Sequence, residues 1–386
     1  MLEEGRGKNE SRSEVPLLVN PDLIHTKSPM SLRHSHVLIA TLATLLSFVA
    51  GGAWVGIYLT SPTGLDSAPS YITVSKGMSP KGITKELAEK NLISKPTVFY
   101  WSIRALGRWG KIRAGEYEVR ATMTPFQILS TLESGISVAR PFTLREGQNS
   151  YELADLMAER GFGTREEILS LIRSPKWLSE IGWSQPLPPS AEGYLFPDTY
   201  SFTRDMSAID VLKTLSRRFI EVWEPVYDEL GAQYGFTRHQ VVTLASMIEK
   251  ETGVDFERPL ISSVFHNRLR KHMRLQSDPT TIYGVWEKYN GNIRREDLKT
   301  PTDYNTYTLP ALPIGPIGNP GKEAIEAALR PEQSDYLYFV SQNDGTHYFS
   351  KNYEEHLNAV RRFQLDPRAR EGKSWRDRLN KPVTDK

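Results

Sequence analysis

The sequence predicts an α+β protein carried on a single N-terminal transmembrane helix. Three observations lead there. Residues 37–59 form an uncharged apolar run. A strand, a glycine turn and a helix recur at an interval of 70 residues. Beyond them, apolar residues at helical spacing alternate with aromatic, Pro-rich and Gly-rich segments that suit strands and loops. The expected organisation is a polar tail (1–36), the span (37–59), a linker (60–70), a small βα module (71–140), a larger α+β domain with an acid-bearing helix (141–366) and a charged tail (367–386).

The run from Val37 to Leu59 has 23 residues without a charge, enough to cross a hydrocarbon core as a helix. Lys27 and Arg33 precede it, and the next basic residue is Lys76. That asymmetry predicts a cytoplasmic N-terminus with the rest of the chain outside, Trp54 and Tyr58 lying near the outer interface. A buried core helix and a cleaved signal peptide compete. The long preceding region, the length of the run and the lack of an A-x-A site favour an uncleaved anchor. Residues 1–36 mix charges without an apolar period and are expected to be disordered. Thr60 to Ser70 is rich in Pro, Ser and Gly and reads as a linker.

Composition removes several chemistries. The 386 residues contain no cysteine, which excludes disulfides, Cys-ligated zinc, iron–sulfur clusters and a thiol nucleophile. A net charge of +2, with Lys and Arg spread along the chain, argues against nucleic acid as a partner. The eight histidines are scattered without H-E-x-x-H, so no metal is expected, and no G-x-S-x-G marks a serine hydrolase.

The first module opens with a short strand from Ile72, a turn at Gly77 and a helix capped by Ser79 with Pro80 in its first turn. A second helix is expected over Pro96–Leu106, a strand over Gly115–Val119 and a helix from Thr124 to Glu133. The pattern returns 70 residues on: Phe142-Thr143-Leu144 answers Ile72-Thr73-Val74, Gly147 answers Gly77, and Leu153 answers Ile83. Matching phase predicts equivalent buried faces. Between Ala191 and Phe202, Pro197 excludes a regular helix. Tyr194, Phe196, Tyr200 and Phe202 suit either a cleft wall or a buried strand. Ala208–Leu230 has a helical period.

Thr237 and Gln240 form a capping-box pair ahead of a helix striped by Val241, Leu244, Ala245 and Ile248. Glu249 and Glu251 lie about 200° apart around that helix, both at the edge of the stripe, and Gly253 is expected to end it. A glutamate at such an edge can be desolvated, keeping its proton near neutral pH as an acid catalyst requires. A solvated helix end with Lys250 between the two carboxylates is the plain alternative, and geometry prefers neither glutamate. A helix over Ser262–Arg270 follows, with Leu260, Ile261, Val264, Phe265 and Leu269 inward. RLQSDPTTIYG (274–284) reads as a polar, turn-rich segment and TPTDYNTY (300–307) as a polar-aromatic loop. LPALPIGPIGNPG (309–321) is expected along the cleft surface. A helix over Glu323–Leu329 and a hairpin around Asn343-Asp344-Gly345 complete the fold.

The strand–glycine turn–helix of the first copy resembles a LysM-like module, a class that binds N-acetylglucosamine-containing glycans; a ligand-free packing unit fits the same residues. The order SMIEKETG, FHNRL, RLQSDPTTIYG and TPTDYNTY, preceded by EGYLFPDTY, resembles the endolytic murein transglycosylase family. These are membrane-anchored bacterial enzymes formerly grouped as aminodeoxychorismate lyase-like. The resemblance runs from Tyr71 to Phe363 and implies a lysozyme-like acid-bearing helix, no cofactor and peptidoglycan glycan strands as substrate. It further implies cell-wall synthases (penicillin-binding proteins) as partners, and a single-pass location at the cytoplasmic membrane with the catalytic domain outside. One glutamate protonates the bond between N-acetylmuramic acid and N-acetylglucosamine, then acts as base on the muramic C6 hydroxyl, leaving a 1,6-anhydro end. Because the catalytic glutamate of lytic transglycosylases is typically followed by a small hydroxyl residue, the resemblance assigns Glu251, followed by Thr252. It also brings Gln276, Asp278, Tyr304, Asn305, Tyr307, Glu192 and Tyr194 forward as substrate-binding candidates, with structural roles competing for each. A non-catalytic peptidoglycan-binding scaffold keeps the glycan without the chemistry. A cytoplasmic pyridoxal enzyme, suggested by the older label, conflicts with the topology and lacks a phosphate-cradling glycine loop.

Overall fold

The computed structural model describes residues 29–183, 186–230 and 235–366, with side chains from residue 35 onward. Helix α1 (Pro29–Thr60) contains the apolar run. The tail expected to extend to residue 36 is therefore helical from Pro29; its remainder, and residues 367–386, lie outside the described residues. Thr41, Thr44 and Ser47 turn their hydroxyls onto carbonyls three or four residues back, so these polar groups are satisfied within the helix.

Two βααβ units follow, in the phase that the 70-residue interval predicts. The first runs β1 (Ser70–Val74), α2 (Pro80–Glu89), α3 (Pro96–Ala105) and β2 (Gly115–Val119), with α4 (Pro125–Ser134) packed against it. The second runs β3 (Ala139–Thr143), α5 (Ser150–Glu159), α6 (Arg165–Arg173) and β4 (Thr199–Thr203). In each, the outer strands pair antiparallel: Ser70↔Val119 to Val74↔Gly115, and Ala139↔Thr203 to Thr143↔Thr199. Gly77 and Gly147 both take left-handed backbone, at φ 79 and 72, which turns the chain from strand to helix without a Cβ penalty. Each unit buries its own core: Ile72, Leu87, Phe99 and Tyr117 in the first, Phe142, Leu153, Ile168 and Phe202 in the second. The linker does not hang free. Thr63 Oγ1 donates to Leu92 O at 3.0 Å, and Gly64 N–H to Ala121 O at 3.0 Å.

The third core forms around α8. Helix α7 (Ala208–Leu230) matches the predicted bounds and tolerates Pro225 in its interior. Helix α8 (Arg238–Glu251) starts at the expected Thr237–Gln240 capping box. Instead of one apolar stripe, every residue from Val241 to Ile248 is buried. Helices α9 (Arg258–Arg270), α10 (Asp278–Gly284) and, after the short α11 (Arg295–Lys299), α12 (Lys322–Leu329) pack around it. A hairpin of β5 (Tyr338–Ser341) and β6 (His347–Ser350) and helix α13 (Tyr353–Val360) close the domain.

Two expectations fail here. Residues 315–321 of the Pro/Gly segment are buried and do not run along a surface. Asn319 accepts the Gly193 and Leu195 N–H groups and donates to Gln148 O, while Ile317 N–H bonds Ser246 Oγ. The strap pays its polar debt through side chains distant in sequence. Likewise, the segment expected to be turn-rich contains α10. Pro279 in its first turn costs no helical bond.

Candidate active site

Glu251 is the last residue of α8. The helix does not end on a left-handed Gly253; Thr252 leaves it in extended backbone, at φ −142 and ψ 143. Burial is the main cause raising the Glu251 carboxyl to about 7. The nearby Asp278 charge pushes the same way, while a hydrogen bond from Ser277 and the Arg268 charge oppose it. The C-terminal end of the α8 dipole also disfavours a carboxylate there. Ser277 Oγ–H donates to Glu251 Oε1 at 2.5 Å. The result is a half-buried acid that exchanges its proton near neutral pH and is held in one orientation.

Ser277 is placed by two zipped segments. Its N–H bonds Thr306 Oγ1 at 3.0 Å, and Gln276 N–H bonds Thr306 O at 3.2 Å. Thr280 and Thr306 hydroxyls pair at 2.8 Å, and Thr281 Oγ1 donates to Asn305 Oδ1 at 3.0 Å. Arg268, on α9, donates to the Leu275 and Leu337 carbonyls at 2.9 and 2.6 Å. The motifs that are separate in sequence thus become one support beneath a single carboxyl.

The structure separates the two glutamates that helical geometry left equal. Glu249 is spent on structure: Oε1 pairs with Arg258 Nη2 at 3.2 Å, both side chains 5 % exposed, and Oε2 accepts Gly321 N–H at 3.0 Å. Glu251 has no cationic partner within salt-bridge distance among the described residues.

The other candidates divide. Gln276 is exposed, next to Ser277, with its backbone at φ 52, a left-handed position uncommon for a residue with a Cβ. Asp278 is exposed and accepts Tyr307 Oη–H at 2.6 Å. Tyr304 is half-buried, its ring edge-on to Tyr283 at 4.7 Å. Gln276 and Asp278 flank Ser277 in the chain and Tyr307 bonds Asp278, whereas Tyr304 packs on Tyr283, whose hydroxyl bonds Glu192.

Three candidates are withdrawn into the protein. Asn305 is fully buried, and its Nδ2 faces the Asp297, Leu298 and Thr300 carbonyls, so it shapes a loop and has nothing left for a ligand. Tyr194 is 2 % exposed, packed on Trp183 and Phe219, with its hydroxyl against His239 Nδ1 at 2.7 Å. It is a core residue, although it lies outside β4 and not on a strand. Glu192 is buried, with no arginine partner within salt-bridge distance among the described residues. Its Oε2 accepts Ser150 N–H at 2.9 Å and Tyr283 Oη–H at 2.8 Å, and burial raises it to about 7.

Sequence reasoning passed over Ser277, Thr306 and Arg268. The available signal was Ser-Asp-Pro, a helix-entry pattern that leaves the serine at the N-cap position. Among the described residues no group of three or more His, Asp or Glu has metal-binding geometry.

Comparison with known proteins sets this site in context. A family model described as the YceG-like family matches residues 72–362. A Bacillus subtilis (strain 168) protein named endolytic murein transglycosylase is 30% identical over 330 residues, covering 82% of this chain and 91% of that protein. A Streptococcus pneumoniae (serotype 2, strain D39) protein of the same name is 25% identical over 356 residues, covering 84% of this chain. The match takes in 64% of that longer relative. A crystal structure of a yceG-like protein from Listeria monocytogenes aligns with a TM-score of 0.51 and 32% identity, over 76% of this chain and 99% of that one.

Proposed function

The chain belongs to the YceG-like family, and from that premise we propose that it is a lytic transglycosylase acting inside peptidoglycan glycan strands. The observation that carries the reading is Glu251: a carboxyl raised to about 7 by burial, held by Ser277, with no cationic partner within salt-bridge distance among the described residues. A carboxyl of that kind gives its proton to a leaving oxygen and recovers it from an attacking hydroxyl.

The bond broken is the β-1,4 linkage between N-acetylmuramic acid and N-acetylglucosamine. Glu251 donates its proton to the glycosidic oxygen as the C1–O bond breaks. The resulting carboxylate takes the proton of the muramic C6 hydroxyl as that oxygen closes on C1. The product is a 1,6-anhydro end, the enzyme regains its proton and no water is consumed. One carboxyl suffices, unlike a hydrolase that needs a second as nucleophile or base. The exposed Gln276, Asp278 and the neighbouring Tyr307 are positioned to meet the sugar, whereas Asn305 and Tyr194 act through the fold. Cleavage within strands at the membrane fits termination of growing glycans beside the synthases.

Topology supports a substrate outside the cytoplasm. The basic residues before the apolar run of α1, and their absence after it up to Lys76, favour an N-terminus inside. The strand, glycine turn and helix that open the first βααβ unit support reading it as a LysM-like glycan-binding module.

Mass spectrometry of products from purified glycan strands tests the proposal. Anhydro-muramic ends that vanish in Glu251→Gln are expected. Reducing ends in their place would make the enzyme a hydrolase. Undiminished anhydro product from Glu251→Gln would remove Glu251 as the acid, and wild type that forms no product above a protein-free control would reduce the chain to a glycan-binding scaffold.

A further inference from the structure

The first βααβ unit and the membrane helix share a core. Tyr58, two residues from the end of α1, is 8 % exposed and belongs to the cluster of Ile72, Leu87 and Phe99. Its hydroxyl donates to Lys95 O at 3.1 Å, and Leu59 packs on the same cluster. Lys95 Nζ lies 4.2 Å from the Trp54 ring centre. From Ser35, about 20 helical residues, roughly 30 Å, already span a bilayer core, and they end at Trp54. The end of α1 therefore packs one face on the module through Tyr58 and Leu59, while Ile57 stays 64 % exposed, and this contact brings the module down to the level of the interface.

The surface presented there is specific in character. Residues 94–113 contain Lys95, Arg104, Arg108, Lys111 and Arg113 and no acidic residue, a local concentration that corrects the impression of evenly spread charge. Trp101 is 59 % exposed and Leu106 54 %, both at α3, and Phe126 is 43 % exposed at the start of α4. Helices α3 and α4 both touch α1. Cations stand over two of these rings: Arg104 over Trp101 at 5.5 Å and Arg108 over Phe126 at 4.7 Å. Arg108 also pairs with Glu133, so Lys95, Arg104, Lys111 and Arg113 supply the unbalanced charge.

We propose that this basic-aromatic face of the first βααβ unit is a membrane seat, which lays Trp101, Leu106 and Phe126 into the headgroup region of the outer leaflet and binds anionic lipid phosphates. Amphipathic rings and long basic side chains are the groups that favour that interface. Continuity with α1 selects a lipid surface as the occupant, because the shared core leaves no free linker to lift the face away. The inference rests on α1 spanning the membrane and goes beyond the proposed activity. It fixes the height of the module above the bilayer.

The chain has no cysteine, so one introduced thiol can be labelled alone. Full-length Trp101→Cys and Leu106→Cys, with Lys81→Cys on the exposed start of α2 as control, each carry an environment-sensitive fluorophore. They are reconstituted into vesicles of phosphatidylethanolamine and phosphatidylglycerol. Lipid doxyl-labelled near the headgroup is expected to quench the labels at 101 and 106 about two-fold or more beyond the label at 81, and Arg104→Glu to reduce that difference. Aqueous iodide is expected to reach only the label at 81. Labels at 101 and 106 that stay open to iodide and untouched by doxyl lipid overturn the seat. Shielding that arises only when glycan strands are added overturns it too, and assigns the face to glycan. The readout is independent of catalysis, so the seat and the transglycosylase reading fail separately.

Discussion

The two βααβ units have one plan and opposite surroundings. In the first, the turn at Gly77 faces open space. In the second, the matching turn at Gly147 is wedged against the end of α8. Gly147 N–H bonds Asn319 O at 2.8 Å, and Gly147 O accepts Lys250 Nζ at 3.2 Å. Lys250 lies between the structural Glu249 and the candidate acid Glu251. The first residue of the following helix differs as well. Ser150 offers its N–H to Glu192, while Pro80, at the same place in the first unit, has none to offer. The same local fold thus serves as an anchor-bound unit in one copy and as a buttress for the candidate acid in the other. The difference lies in a few contacts and not in topology.

If the second unit merely buttresses, removing the acid should silence the enzyme with both units intact. Glu251→Gln keeps the shape and the Ser277 contact, but cannot give or take a proton. Anhydro-ended product is expected to fall by about 10²–10⁴-fold, read by mass spectrometry, with an unchanged circular dichroism spectrum. Glu249→Gln should do the reverse. It takes the buried carboxylate from Arg258, which keeps Glu146 and Asp255 as partners, so it is expected to cost about 1–3 kcal/mol of stability. Activity per folded molecule should survive.

The two glycines test the asymmetry directly. A Cβ on Gly318 would sit 2.7 Å from Gly147 O, a backbone atom that cannot step aside. Gly318→Ala is expected to cost about 1–3 kcal/mol. Alanine at Gly77 or Gly147 costs about 1–2 kcal/mol for the left-handed backbone alone. Only at Gly147 would the new methyl also meet Lys250 Cδ, at 3.3 Å. Thermal melts should show both losses, while kcat should fall further in Gly147→Ala. Equal kcat in the two variants would reduce the second turn to a bystander.

Much of this was legible in the sequence where the signal is local. The glycine turns, the Ser79, Thr124 and Thr237 caps and the bounds of α7 depend on neighbours within a few residues. What escaped depends on distant partners. Glu249 and Glu251 share one helix end, and Gly321 and Arg258, from other elements, decide which of them is paired. The Pro/Gly strap is buried because Asn319 satisfies backbone groups more than 120 residues away in the chain. Asn305 looked like a cleft residue because the resemblance of its loop to the family's pattern implied one. It is buried because three carbonyls converge on its amide.

The acid also leaves a mark on stability. The Glu251 carboxyl lies above its ordinary value of 4.5, at about 7, chiefly through burial. Its contribution is complete below pH 4.5 and is lost as pH rises to about 7, because the unfolded chain gives up the proton first. Wild type is expected to lose up to about 3 kcal/mol relative to Glu251→Gln across that window and no more above it. Melting temperatures of the two proteins at pH 4.5, 6 and 8 check this. Parallel curves would mean that Glu251 is solvated in the fold, and would remove the physical basis of its role as acid.

The smallest effect returns to the difference between the helix starts. Ser150→Pro gives the second unit the residue of the first. Proline suits the first position of a helix, and the Asn149–Glu152 capping box can stay in place. What disappears is a donor to Glu192, the N–H on Oε2 together with the Ser150 hydroxyl. That donor favours the carboxylate over the neutral acid, so its loss should raise Glu192 further above about 7. The penalty should then be small at pH 5.5, where Glu192 is protonated in both proteins. It should grow to about 1 kcal/mol by pH 8.5, where the wild-type carboxylate has a donor that the variant lacks. A penalty of the same size at both pH values would mean that proline disturbs α5 itself. A penalty that grows with pH would identify the buried carboxyl as what the second unit gained by placing serine where the first has proline.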